Sequence, residues 1–233
     1  FPVSIGIWGD ASEISDQLLQ ALNNLNHLSK VDQWTAQFKD NRKHFLQHRD
    51  ENAIMTTPIQ PSGLFKVLRK VLPENSSITM DAGTLCLQAT DALNYFEPRS
   101  LFTPLDFGLV GFSFACGLGV KLAQPERKVI SLMGDGGFGM TLSELSTAVD
   151  QGINTTTIVM NNKCWGAEKA YQRDFFNERY IGADISSPPF DQIAELYGAS
   201  GVKVDSLPDL SEALSVALEL DKPSVIDVSV DPS

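Results

Sequence analysis

"KVISLMGDGGFGM" (residues 128–140) sets a mostly apolar run, Val129 to Met133, directly against a cluster of glycines. A short apolar run that ends in glycine reads as a buried strand of a parallel sheet entering a turn. Gly134, Gly136 and Gly139 fit G-x-G-x-x-G, a spacing that lets phosphate approach backbone N–H groups. Asp135 places a carboxylate in the middle of that turn, where it would repel a phosphate.

Working outward, the same strand–turn–helix rhythm repeats from Pro58 onward. Helix is expected near 61–71, strand at 77–81, helix near 85–94 and strand at 101–104. A Gly/Ala-rich helix follows at 110–122, then the strand 128–133, the glycine loop and a helix 141–150. Strands at 155–161, 201–204 and 224–230 alternate with helices at 191–198 and 209–219. This alternation predicts an α/β fold with a doubly wound, mostly parallel sheet, whose ligands bind at the carboxyl ends of the strands. Upstream, "VSIGIW" (3–8) reads as a buried strand, and Asp10 with Glu13 forms a capping pattern for a helix near 11–25. One strand and one helix make no core alone, so residues 1–29 are expected to end a preceding central domain. The polar stretch 30–57 is expected to be a partly helical linker arm, and 58–233 the main domain. A chain that opens at Phe1 with an apolar strand is expected to derive from the middle of a longer protein.

Composition narrows the function classes. A net charge of −11 over 233 residues argues against a nucleic-acid surface. No run approaches the roughly 18 apolar residues that a membrane helix needs. Cys86, Cys116 and Cys164 lack metal spacing, and their odd number with no signal peptide points to a reducing, cytoplasmic setting. His27, His44 and His48 all lie far from the glycine turn, which gives histidine catalysis little support.

A nicotinamide-binding turn requires an acid about 20 residues on, at the end of the next strand. That strand ends in Asn161-Asn162 instead, and Asp150 lies on the intervening helix. A Walker loop is excluded because no Gly-Lys-Ser/Thr follows. A carboxylate beside a diphosphate becomes favourable once a divalent cation bridges the two. Mg²⁺ takes octahedral oxygen ligands and often combines a few protein oxygens with substrate phosphates. Asp135 and an amide oxygen from the Asn161-Asn162 pair can converge on one such ion, with the N–H groups of Gly136 and Gly137 on the phosphate oxygens.

Gly134-Asp135-Gly136, then 24 residues (137–160), then Asn161-Asn162 resembles the thiamine-diphosphate signature of the acetolactate synthase and pyruvate decarboxylase superfamily. The resemblance implies thiamine diphosphate and Mg²⁺ as cofactors. It implies Asp135 and Asn162 as side-chain metal ligands and Cys164 as a ligand through its backbone carbonyl. "DAGT" (81–84) resembles the segment near the diphosphate, which brings in Asp81 and Gly83. "DFGLVGF" (106–112) resembles the stretch around the aminopyrimidine ring, with the Gly108 carbonyl accepting from the 4′-amino group and Val110 wedging the cofactor into a bent shape. Gly134, Gly136, Gly137, Trp165 and Gly166 complete the cofactor-binding set. The superfamily also needs an acid from a pyrimidine-binding domain, which no segment here resembles. That domain is expected from a missing N-terminal part or a partner subunit, in a homodimer or homotetramer.

Within the superfamily, "WGAEK" with "Q-x-D-F-x-N-x-R" in 163–190 resembles sulfoacetaldehyde acetyltransferase more than acetolactate synthase. The implied reaction converts sulfoacetaldehyde and phosphate to acetyl phosphate and sulfite. A small anionic substrate and phosphate call for cations, and Lys163, Lys169, Arg173 and Arg179 cluster in this segment. Lys169 and Arg173, with Glu168 as a proton-transferring acid, are the candidate catalytic residues. The alternatives are an acetolactate-synthase-like carboligase or decarboxylase acting on a 2-oxo acid, and a non-catalytic cofactor-holding subunit.

Overall fold

Along β3 (Val129–Gly134) successive side chains enter two different cores: Ile130 and Leu132 join one, Met133 the other. A strand buried on both faces needs helices on both sides of its sheet. A computed structural model describes residues 2–25, 31–51 and 56–232, and divides the chain into two compact units, Phe1–His48 and Arg49–Ser233.

In the second unit β3 lies within a six-stranded, wholly parallel sheet. Its other strands are β1 (Ser77–Met80), β2 (Leu101–Phe102), β4 (Thr156–Asn161), β5 (Ser200–Val204) and β6 (Ser224–Ser229), in the order β2-β1-β3-β4-β6-β5. One face packs on α3 (Pro61–Val71), α4 (Thr84–Ala92) and α10 (Leu207–Glu219) through Leu64, Leu68, Ala89, Leu210 and Leu214. The other packs on α5 (Phe112–Ala123), α6 (Asp135–Thr141), α7 (Leu145–Asp150) and α9 (Phe190–Leu196). There Phe114, Phe138 and Phe190 form two edge-to-face contacts, with centroids 5.4 and 5.2 Å apart. Such pairs contribute roughly 0.5–1.5 kcal/mol each beyond their buried area, so they fix α6 and α9 at the sheet edge.

The chain leaves β1 for β2 on one side and returns to β3 on the other. The crevice where strand order reverses therefore opens between the ends of β1 and β3, and Asp81 and Asp135 follow those ends directly.

Two sequence expectations are corrected here. The helix after β3 begins at Asp135, not near 141, and a 3₁₀ turn (Leu142–Glu144) separates it from α7. Glycines weigh against helix by about 1 kcal/mol each, so Gly136, Gly137 and Gly139 read as loop; the buried Phe138 overrides that preference. In the first unit α1 (Ala11–Asn23) forms as expected, with Asp10 Oδ1 accepting from the N–H groups of Ser12 and Glu13 at 2.9 and 3.1 Å. Residues 3–8, however, form no strand and stay exposed, Trp8 fully so. A strand persists only with a neighbour to pair its N–H and C=O groups, and among the described residues it has none. Most of the arm is one helix, α2 (Val31–Glu51), with Trp34 stacked on Phe38. The expected boundary at 29/30 and His27 lie outside the described residues.

At the end of α2, Asp50 accepts two hydrogen bonds from Arg69 Nη2 (2.6 and 2.8 Å), and Arg69 Nη1 donates to the Ala92 carbonyl at 2.8 Å. Within the second unit this ties Asp50 to α3 and α4 through a guanidinium that is only 13% exposed. Arg69→Ala is expected to cost about 2–3 kcal/mol by stranding these acceptors. Urea unfolding checks this; a loss within about 0.5 kcal/mol, as at an ordinary surface site, would show the pairing is incidental.

Candidate active site

Asp81, 1% exposed, ends β1 with a buried carboxylate. Its oxygens accept from the N–H groups of Gly111 (3.0 Å), Phe112 (2.8 Å) and Ser113 (3.3 Å), the first turn of α5. A carboxylate there satisfies donors that have no partner within the helix and complements the helix dipole. Burial pushes the Asp81 carboxyl above its ordinary value, and the N–H donors pull the other way. The side chain thus fixes the approach to α5, which carries Gly108 and Val110.

Asp135 begins α6 and is 2% exposed. Its carboxylate receives the Ser187 hydroxyl and the backbone N–H groups of Asp135, Gly136 and Lys163. Burial raises its pKa against these donors, and among the described residues no lysine or arginine pairs with it. The Lys163 contact draws the turn after β4 toward the turn after β3. In that second turn the Asn162 side-chain oxygen accepts from the Cys164 N–H at 3.2 Å. Burial also raises the Cys164 thiol pKa, and the group is 3% exposed, so its sulfur is an inert core atom.

Two glycines are required by close approach. A Cβ on Gly136 would lie 2.4 Å from the Trp165 ring, and one on Gly137 would lie 2.0 Å from Asp81 Oδ2. The turn after β3 therefore packs directly against the Asp81 carboxylate and the Trp165 ring, with the Gly136 N–H held by Asp135.

A cleft of about 460 Å³ spans these elements. It is lined by every residue of the expected cofactor and metal set: Asp81, Gly83, Gly108, Val110, Gly134 to Gly137, Asn162, Cys164, Trp165 and Gly166. Of the three candidate catalytic residues, Glu168 and Arg173 line it and Lys169 does not. Lys169 lies on α8 (Gly166–Phe175) but donates to Asp184 at 2.6 Å, with its ammonium 5.4 Å from the centroid of the Tyr180 ring. Arg173 reaches the cleft while paired with Asp174 at 2.8 Å, and both are exposed. Ser187, which the sequence reading missed, touches Asp135 from 52 residues away. "SSPPF" carries no local signal for such a role.

The donor chemistry limits what can bind. Asp81, Asp135, Glu168 and Asp231 line the cleft against the single guanidinium of Arg173. A diphosphate entering this field needs a cation with it. Among the described residues no three His, Cys, Asp or Glu side chains group as a metal site. Carboxylate, amide and backbone oxygens are the donors present, and these hard ligands suit Mg²⁺. The residues therefore fit a diphosphate cofactor held through a hard cation.

Comparison with known proteins agrees with this geometry. Residues 81–228 match the family model described as "Thiamine pyrophosphate enzyme, C-terminal TPP binding domain". A sulfoacetaldehyde acetyltransferase from Alcaligenes xylosoxydans xylosoxydans is 36% identical over 162 residues, which is 70% of this chain and 27% of the relative. A probable acetolactate synthase large subunit from Methanococcus aeolicus is 29% identical over 245 residues, covering 99% of this chain and 40% of the relative. The chain thus spans well under half the length of these curated relatives. Among solved structures, a thiamine-diphosphate-dependent 4-hydroxybenzoylformate decarboxylase from Rhodococcus jostii RHA1 superposes with a TM-score of 0.71 at 26% identity, over 76% of this chain and 34% of that one. The crevice between β1 and β3, its tightly packed glycine turn and its oxygen donors are accounted for together: this chain belongs to the thiamine pyrophosphate enzymes and carries their C-terminal cofactor-binding domain.

Proposed function

We propose that the protein is a Mg²⁺-dependent acyltransferase that converts sulfoacetaldehyde and phosphate to acetyl phosphate and sulfite. The observation that carries this reading is the 36% identity to a sulfoacetaldehyde acetyltransferase over 70% of the chain. Asp135 and Asn162 would hold the metal through side-chain oxygens and Cys164 through its carbonyl. The Gly136 and Gly137 N–H groups would hold phosphate oxygens, the Gly108 carbonyl would orient the aminopyrimidine, and Val110 would press on the bend of the cofactor. When bound, thiamine diphosphate supplies a carbon nucleophile for carbonyl addition, and the metal neutralises its diphosphate.

The chain's own side chains then set specificity. Trp165 packs over the turn at Gly136 and lines the cleft, where it would wall the substrate space. Arg173, exposed and already paired with Asp174, would exchange that partner for the sulfonate or for phosphate at little cost, because water screens an exposed ion pair. Glu168 faces the same space as a proton donor or acceptor. The remaining acid comes from a pyrimidine-binding domain, supplied by another part of the protein or by a second subunit of a homo-oligomer.

Acetolactate synthesis from pyruvate is the second reading, because a relative of that name aligns with 99% of the chain. Full-length protein supplied with thiamine diphosphate, Mg²⁺ and phosphate separates the two. Phosphate-dependent release of sulfite with acetyl phosphate from sulfoacetaldehyde supports the first. Acetolactate from pyruvate with no sulfite overturns it in favour of the second.

A further inference from the structure

Between β4 and α9 the chain makes a long excursion that carries Trp165, Glu168 and Arg173 to the cleft and then doubles back. The Trp165 N–H donates to the Ala183 carbonyl at 2.7 Å, and the Ile185 N–H donates to the Lys163 carbonyl at 3.0 Å. Cys164 and Asp184 form an antiparallel bridge between these bonds. The returning leg is thereby registered against the Asn162–Cys164 turn, and two residues further on the Ser187 hydroxyl donates to Asp135 Oδ2.

The end of the leg is anchored as firmly. The Phe190 N–H donates to Asp227 Oδ2 at 3.3 Å, and Asp227 Oδ1 accepts from Asn161 Nδ2 at 2.9 Å. Asp227 lies in β6 between Ile226 and Val228, is 2% exposed, and forms no ion pair among the described residues. A carboxylate in that place costs more than the apolar residue its neighbours favour. What it secures is geometric, since both ends of the excursion, Asn161 and Phe190, meet on one side chain. Ser187 is therefore held against Asp135 by backbone bonds on one side and a buried anchor on the other.

We propose that Ser187 is a positioning residue for the Asp135 carboxylate. Its hydroxyl holds one oxygen and restricts rotation of the group, so Asp135 meets a cation already oriented. The proposal rests on the reading of Asp135 as a Mg²⁺ ligand. Outer groups that orient a ligating side chain typically change metal affinity by about 10- to 100-fold when removed.

The test is Mg²⁺ titration by calorimetry of the full-length protein, in a fixed excess of thiamine diphosphate, as wild type, Ser187→Ala and Ser187→Thr. Ser187→Ala should weaken apparent Mg²⁺ affinity about 10- to 100-fold. Ser187→Thr, which keeps the hydroxyl, should restore it. Circular dichroism without metal should be alike in all three, and any loss of melting temperature should fall on Ser187→Ala alone, because only there does the buried Asp135 carboxylate lose a donor. Unchanged Mg²⁺ affinity in Ser187→Ala, or equal loss in Ser187→Thr, would overturn the positioning role while leaving Asp135 as the ligand. Wild type that shows no Mg²⁺-dependent binding at all would overturn the reading of Asp135 and this proposal with it.

Discussion

Asp135→Asn is expected to weaken joint binding of thiamine diphosphate and Mg²⁺ by roughly 100-fold or more, about 2.7 kcal/mol, with the fold retained. The substitution keeps the shape of the side chain and one acceptor oxygen, so some of the N–H groups of Asp135, Gly136 and Lys163 keep a partner. What it removes is the anion. Without that charge a hard dication gains little over its hydration shell, and the acidic cleft of Asp81, Glu168 and Asp231 then repels the diphosphate. Stability in the absence of metal should move the other way. Burial holds the Asp135 carboxyl above its ordinary 3.8, so its ionised form costs the folded state free energy at neutral pH. For a raised pKa that cost is absent below 3.8 and complete once pH has risen through the folded-state value. The metal-free variant should thus match or exceed wild type at neutral pH and lose the advantage as pH falls toward 3.8. Calorimetric titration with thiamine diphosphate at fixed Mg²⁺ reads the first effect and urea midpoints read the second. Wild-type affinity in Asp135→Asn would overturn the proposal that Asp135 holds a metal.

Gly137→Ala is expected to destabilise the domain by about 3–5 kcal/mol and lower its melting temperature by roughly 10 °C. The new methyl would fall 2.0 Å from Asp81 Oδ2, far inside contact distance. Asp81 cannot swing away cheaply, because its carboxylate holds the Gly111, Phe112 and Ser113 N–H groups at the start of α5. Moving it strands buried donors and loosens the stretch that carries Gly108 and Val110. Gly136→Ala meets only the edge of the Trp165 ring, at 2.4 Å, and that ring can shift toward the open cleft. The contrast between these neighbours is the informative measurement. Gly137→Ala should unfold well below Gly136→Ala in a thermal scan, and equal melting would mean that the Asp81 bracket yields easily.

The part of the site legible in the sequence is the part built from short-range pattern. Asp135 and Asn162 end adjacent parallel strands, so an apolar run ending in each was enough to bring them to one sheet edge. The spacing from Gly134-Asp135-Gly136 to Asn161-Asn162 carried the family resemblance where the glycines alone did not. Asp81 was legible as a neighbour of the cleft, but its carboxylate serves α5, thirty residues on, and strand–turn spacing carries no trace of that contact. Lys169 and Arg173 lie four residues apart on α8, and helical periodicity could not say which of them the cleft would receive. Asp184, brought alongside by the returning leg, drew Lys169 away.

The sequence by itself determined the alternation of strands and helices, the position of the crevice, and the hard-oxygen chemistry of its donors, because each follows from periodicity or from residue type. Only the tertiary structure decided that Gly136 and Gly137 belong to a helix, that residues 3–8 form no strand, that Ser187 reaches Asp135, and that Asp227 joins Asn161 to Phe190. Those outcomes depend on what packs against a segment: Phe138 entering its core, no strand to pair with 3–8 among the described residues, and carboxylates that meet donors distant along the chain.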